Sequence, residues 1–311
     1  MKSVELFNPK QSLNLFGLRK QFEFLISLHK TKKFPKVLLL SGAKGIGKST
    51  LVNHFLHYVY DEKNYDLNLF QIKSDTNFHK LFAQDLYPNL IYLSGFDFTN
   101  VKIDDIRTLK RKIFQKTIVS KERFIVLDEV DFFNIQSLNA LLKIIEEPTH
   151  QNFFILIDNK SKPLIDTIKS RSIEMRINLR DKERQEITLK LIELYNQKLK
   201  FDRNSFSVSP GNFLKFNYFF DTYNINLNND FLDNLKILLM EHKKEKNIFY
   251  LELIRFYIDY YLDIQKNKKY LTLEKFVEKR SFLFKNIHNY FFYNLNQNTL
   301  FNNINHQFNN E

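Results

Sequence analysis

Hydrophobic positions change their period along this chain. Within the first 180 residues, short apolar runs closed by turn residues recur as "KVLLLSG" (36–42), "NLIYLSG" (89–95), "RFIVLDEVD" (123–131), "NFFILIDN" (152–159) and "IEMRINL" (173–179). Runs of this length read as buried strands. Between them apolar residues take helical spacing. Leu15, Leu18, Phe22, Leu25 and Ile26 mark a helix within 14–30, and "KSTLVNHFLHYVY" marks another. Residues 102–116 and 134–148 follow, the latter stopped by Pro148, and 163–172 form a short helix or turn. Strands alternating with helices predict a mostly parallel α/β sheet. Residues 61–90 read as polar and irregular. Beyond residue 180 only helical periodicity remains, over 181–200, about 210–222, 230–245, 247–265 and 272–294. The Asn-rich tail "NLNQNTLFNNINHQFNNE" is expected to fray. There is no internal repeat.

Three of the chain's six glycines, Gly42, Gly45 and Gly47, fall within six consecutive positions, between a predicted strand and a predicted helix. "GAKGIGKS" fits G-x-x-x-x-G-K-[ST]. The pattern has a physical reason: backbone N–H groups must converge on phosphate oxygens, and the helix N-terminus adds its dipole. Gly42, Ala43, Lys44, Gly45, Ile46, Gly47, Lys48, Ser49 and Thr50 form the candidate phosphate loop. Lys48 is expected on the β- and γ-phosphates, and the Ser49 hydroxyl on Mg²⁺.

"FIVLDEVD" sets Asp128 and Glu129 at the end of a strand. A strand end often carries acids for solubility alone. With a phosphate loop upstream on the same sheet, Asp128 becomes the Mg²⁺ candidate and Glu129 the candidate base for an attacking water. Asp131 reads as a helix cap.

Charge and composition narrow this little further. The net charge of +12 suits a polyanionic partner, nucleic acid first, or reflects lysines on solvated faces. With no cysteine, disulfides, thiol nucleophiles and a cysteine zinc site are excluded. The N-terminus lacks an apolar signal core and no run is long enough to span a membrane, so a cytoplasmic protein is expected.

"DEVDFFNIQSLNALLKIIEEPTHQNFFILIDNKSKPLIDTIKSRS" and "LFGLRKQFEFLISLHKTKKFPKVLLLSGAKGIGKSTL" resemble the clamp-loader branch of AAA+ ATPases across residues 12–180, and more weakly through "SPGNFLKF" (209–216). Within that branch the chain is most similar to the delta-prime family of bacterial DNA polymerase III subunits, with the gamma/tau family as runner-up. The resemblance implies an AAA+ α/β domain over 1–179, a helical lid over 180–226 and a helical collar over 227–311. It implies ATP or ADP with Mg²⁺ as ligands. The implied partners are the other subunits of a hetero-pentameric loader, the sliding clamp, and primed DNA in the assembled ring.

The same resemblance assigns further roles. Arg171, in "SRS", matches an arginine finger acting in trans on a neighbour's nucleotide, with Ser172 where the family has cysteine. Asn159, beside Asp158, matches a polar sensor or is a turn residue. Gly211 stands where gamma-type subunits place a lid arginine, a departure favouring delta-prime. Residues 61–90 take the place of the family's zinc module. Arg107, Lys110, Arg111 and Lys112 either face DNA phosphates or form a solvated helix face. His54 and His57, three apart, read more readily as helix-surface histidines than as metal ligands. Two functions stay open: a nucleotide-holding stator that lends Arg171 to a neighbour, or an ATPase motor. A DNA-dependent AAA+ ATPase outside replication is a third reading.

Overall fold

The structure, a computed structural model, describes residues 7–95, 101, 103–114, 122–146, 151–201, 208–225, 230–245, 248–267 and 272–309. The stop at Pro148 and residues 102, 115 and 116 of the helix expected over 102–116 lie outside them. The described residues form two compact units, one mainly Lys2–Leu194 with Val208–Phe213, the other Tyr195–Ser207 with Leu214–Glu311.

In the first unit the elements are α1 (Arg19–Lys30), β1 (Val37–Ser41), α2 (Lys48–Asp61), β2 (Tyr65–Asp66), β3 (Gln71–Ile72), α3 (Asn77–Ala83), β4 (Leu90–Ser94), α4 (Ile103–Phe114), β5 (Arg123–Asp128), α5 (Ile135–Ile145), β6 (Asn152–Asp158), α6 (Asp166–Lys169), β7 (Ile173–Arg176) and α7 (Asp181–Leu194). Five strands pair in parallel in the order β4-β5-β6-β1-β7. Alternation along β1 divides the apolar core. Leu38 and Leu40 pack with Phe22, Leu25, Leu51 and Phe55 of α1 and α2. Val37 and Leu39 point the other way, to Ile106, Leu109, Leu138 and Leu141 of α4 and α5. A strand buried on both faces must be apolar at every position, which is why "VLLLS" reads as a continuous run. The expected parallel sheet with helices on both faces is thus borne out.

The helical part contains α8 (Pro210–Thr222), α9 (Phe231–Glu245), α10 (Ile248–Asn267), α11 (Leu273–Phe292) and α12 (Gln297–Asn309). Its core is aromatic: Phe216 stacks on Phe256 at 4.6 Å between centroids, and Phe231 on Tyr257 at 5.4 Å. None of the described helices is long and apolar enough to cross a membrane.

Four sequence expectations are corrected. Residues 61–90 are not irregular: β2 and β3 pair as an antiparallel ribbon, and α3 follows, capped by the Thr76 hydroxyl on His79 N. Tyr65, Phe70, Ile72, Phe78 and Phe82 join the main core, so aromatic burial organises this stretch. The tail is a helix, because Leu300 and Ile304, four apart, share a buried face. His54 and His57 are buried, not surface residues. Asp131 caps no helix; Asn134 caps α5 by accepting from Ser137 N.

Candidate nucleotide-binding site

Parallel pairing brings the C-terminal ends of β1, β5 and β6 to one edge of the sheet. Ser41 pairs with Asp158, and Ser94 of β4 with Asp128. Crevices at this edge are where open parallel sheets place ligands. The loop Gly42–Gly47 leaves β1 here and enters α2.

Gly47 is the N-cap of α2 at φ +96°, in the left-handed region that favours glycine, and no side chain caps the helix. The first-turn N–H groups are therefore left without a side-chain cap, the arrangement that suits an anion. Lys48 is buried, and its ammonium donates to Gly42 O and Ala43 O, both at 2.8 Å. Burial pulls its pKa down to about 8, while the nearby Asp128, Asp131 and Asp158 pull it up. Ile46 is buried in the core, Ala43 is exposed and Thr50 sits in the first turn of α2. Gly45, at φ +81°, is required for a different reason than phosphate access. A Cβ there would lie 2.5 Å from Ser209 Oγ and 2.6 Å from Asn212 Oδ1. Residues 209–212 dock directly on the loop: Ser209 Oγ donates to Lys44 O at 2.6 Å and Gly211 N to Gly45 O at 2.9 Å.

The acids converge on this loop. Ser49 Oγ donates to Asp128 Oδ2 at 2.7 Å, across 79 residues of sequence. Glu129 N donates to Asp128 Oδ1 at 2.9 Å. Glu129 itself has φ +56°, a left-handed backbone in a non-glycine residue. Lys44 Nζ lies 3.2 Å from its Oε1, and Asn159 Nδ2 donates to the same oxygen at 3.3 Å. Its Oε2 is buried without a hydrogen-bond partner. Burial holds this carboxyl above its usual range; Lys44 opposes that and Asp128 adds to it. Asn159 therefore sits beside the candidate base.

Sequence reasoning missed three contacts. Tyr92 of β4 donates its hydroxyl to Asp128 Oδ2 at 2.7 Å; a phenol inside an otherwise aliphatic strand was the available signal. Asp131 accepts from Asn159 N at 3.3 Å and Ser161 N at 3.1 Å, and so shapes the turn after β6. Lys44 engages Glu129, which no motif foretells.

Arg171 stands apart from this cluster. Its guanidinium is partly exposed, pairs with Glu146 Oε1 at 2.8 Å and donates to Thr167 O at 3.1 Å. Arg107, Lys110, Arg111 and Lys112 are exposed on α4. Arg107 pairs with Asp104, and Arg111 donates to Thr108 Oγ1. Arg107 and Lys110 line a groove of about 420 Å³ between α4 and α5, with Asn139 and Lys143 opposite.

The residues fit a nucleotide and its cation. The uncapped helix end suits phosphate, Ser49 and Asp128 bring two hard oxygens together as Mg²⁺ demands, and Glu129 keeps an unpaired oxygen. His57 meets a third histidine, His79, yet among the described residues no group of three or more acids or histidines is arranged to hold a metal.

A parallel sheet with helices on both faces, a phosphate loop after its first strand and an acidic pair at the end of β5, one strand removed from β1 across β6, define a P-loop protein. The profile of the DNA polymerase III, delta subunit family matches residues 17–181, just over half of the 311 residues, and the chain belongs to that family. It is 30% identical over 164 residues to the DNA polymerase III delta-prime subunit of Buchnera aphidicola subsp. Schizaphis graminum, covering 52% of this chain and 48% of that one. It is 26% identical over 137 residues to the delta-prime subunit of Pseudomonas aeruginosa, covering 44% and 41%. The gamma subunit of the same Buchnera strain is 25% identical over 152 residues, covering 49% and 40%. The chain thus spans about half the length of these relatives or less. A solved gamma subunit-related protein of DNA polymerase III from Thermotoga maritima shares the fold, at TM-score 0.52 and 17% identity over 91% of this chain and 97% of that one.

Proposed function

We propose that the chain is a delta-prime-type clamp-loader subunit of DNA polymerase III, acting in cytoplasmic DNA replication. One observation carries the reading: the phosphate loop, Asp128, Glu129 and Asn159 meet at one sheet edge, inside the span that matches the family. Residues 180–226 serve as lid and 227–311 as collar. The loop holds ATP or ADP through its N–H groups and Lys48, and Ser49 with Asp128 holds Mg²⁺. The cation neutralises phosphate charge. Glu129 is placed to take a proton from water through Oε2, with Asn159 and Lys44 orienting its other oxygen.

Arg171 supplies its charge to the nucleotide of a neighbouring subunit. Its exposure supports this: the Glu146 pair is half solvated and worth little, so exchange for a phosphate costs little. Gly211, docked on Gly45 by its backbone, has no side chain to reach a phosphate. Its place supports a subunit that holds nucleotide more than it turns it over. Arg107, Lys110 and Arg111 face the phosphates of primed DNA in the assembled hetero-pentamer, which closes the sliding clamp on that DNA.

The second reading, a gamma/tau-type motor, is favoured by the phosphate loop, Asp128 and Glu129 standing together in one chain. ATPase rates of the reconstituted loader separate the two. In the stator reading Arg171→Ala lowers turnover by about a hundredfold or more, while Lys48→Ala leaves most of it. If Lys48→Ala abolishes turnover and Arg171→Ala does little, the stator reading is wrong. A third reading, a DNA-dependent AAA+ ATPase outside replication, is tested by co-purification with the sliding clamp and polymerase subunits; no association sinks the clamp-loader assignment.

A further inference from the structure

Asp128 is held by more than the phosphate loop. Its Oδ2 accepts two hydroxyls at once, Ser49 Oγ and Tyr92 Oη, each at 2.7 Å, and its Oδ1 accepts Glu129 N at 2.9 Å. Two donors on one oxygen and one on the other leave the carboxylate a single orientation. Ser49 and Glu129 belong to motifs already assigned. Tyr92 does not: it lies mid-strand in β4, opposite Val126 of β5, two positions before the residue that pairs with Asp128. It reaches along the strand to the carboxylate.

The tyrosine is itself braced. Lys10 Nζ sits over its ring at 4.2 Å from the centroid. Lys10 is in turn fixed by Asp85, with Nζ 2.7 Å from Oδ1 and 2.6 Å from Oδ2. Asp85 follows α3, in the segment between residues 61 and 90. The N-terminal segment, the α3 end and β4 thus combine to aim one phenolic hydroxyl. Phenylalanine would fill the same volume in this aliphatic strand; the oxygen matters only to Asp128.

We infer that Tyr92 is a positioning residue for the divalent-cation site, holding Asp128 in the orientation from which it supports the cation beside Ser49; the inference rests on the nucleotide-binding reading above. Partners that orient a ligating carboxylate contribute substantially to metal affinity, and their removal typically weakens it by tenfold or more.

The test titrates the full-length chain with ATP by calorimetry, in EDTA and over a series of Mg²⁺ concentrations, for the native chain, Tyr92→Phe and Ser49→Ala. Native protein and Tyr92→Phe bind ATP equally in EDTA. The Mg²⁺ concentration for half-maximal tightening rises about tenfold in Tyr92→Phe, and at saturating Mg²⁺ the two affinities converge. Ser49→Ala loses the Mg²⁺ effect. Rescue by excess cation separates positioning from damage, because a misfolded variant does not recover. Equal Mg²⁺ midpoints overturn the inference. So does a Tyr92→Phe defect of the same size in EDTA, which marks a packing role. Native protein that binds ATP without any Mg²⁺ dependence overturns the inference alone. Native protein that binds no ATP under any condition overturns the nucleotide reading and this inference with it.

Discussion

Lys48 shows how a buried cation is tuned by its surroundings. Its folded pKa of about 8 lies below the ordinary lysine value. Between the two, the unfolded chain binds the extra proton, so this residue's contribution to folding stability rises with pH across that window. Phosphate attraction has the opposite sign, because it needs the ammonium. ATP affinity is therefore expected to fall as pH rises through about 8, and calorimetry from pH 7 to 9 reads it directly; a flat profile would show that Lys48 stays charged. Gly211 offers a second check. A Cβ there would lie 2.8 Å from Gly45 O, a backbone atom with little room to move. Gly211→Ala is expected to cost about 1–3 kcal/mol in urea unfolding. At this scale the sequence was legible where chemistry forces a local pattern. Gly47, Lys48, Ser49 and Asp128 stand in motifs because one ligand demands them together. No motif foretells the contacts of Tyr92, Lys44 and Ser209: their partners lie 36, 85 and 165 residues away, and only the strand order of the sheet and the docking of residues 209–212 on the loop bring them close.

Among the elements, α2 carries the least expected feature. His54 Nε2 lies 3.1 Å from the Ser12 carbonyl and so donates to it, which leaves Nδ1 to accept from Tyr65 Oη at 2.9 Å. His57 Nδ1 donates to Asn53 O, and its Nε2 accepts from His79 Nδ1 at 3.0 Å. Both rings are neutral in this network, and burial lowers their pKa to about 3 and about 4. The stability they support is complete above the unfolded value near 6.5 and is lost as pH falls from there towards 4. A thermal midpoint dropping between pH 6.5 and 5, with a shallower drop in His57→Phe, is the expected result; His57 already packs among Phe78 and Phe82. Helix α12 gives another test. Ile304→Ala is expected to cost about 2–4 kcal/mol, measured by urea unfolding, whereas a frayed tail would show no change. Strands and long helices were readable because each repeats its period over many residues. The β2–β3 ribbon has two residues per strand, too few to repeat anything, and the asparagines of α12 hide a buried face of widely spaced apolar residues.

For the whole molecule, the charge of +12 becomes useful once a place is attached to it. The groove between α4 and α5 gathers Arg107, Lys110 and Lys143 on one surface. If DNA phosphates lie there, the slope of log affinity against log salt should shrink by about one for each of Arg107→Ala and Lys110→Ala, with no change in sequence preference. Binding of a fluorescent primed duplex across a salt series measures it; unchanged slopes place the DNA elsewhere. Such a test needs the assembled loader, since the groove meets DNA only inside the proposed ring.

Glu129 carries a cost that only a population of variants would expose. Its left-handed backbone is strained for any residue but glycine or asparagine, and one of its carboxyl oxygens is buried with nothing to bond. A library randomised at this position and selected for thermal survival alone should enrich Gly and Asn over the native acid. The same library selected for replication in cells should keep Glu if this site's chemistry is used, and drift towards glycine if the chain only lends its arginine to a neighbour.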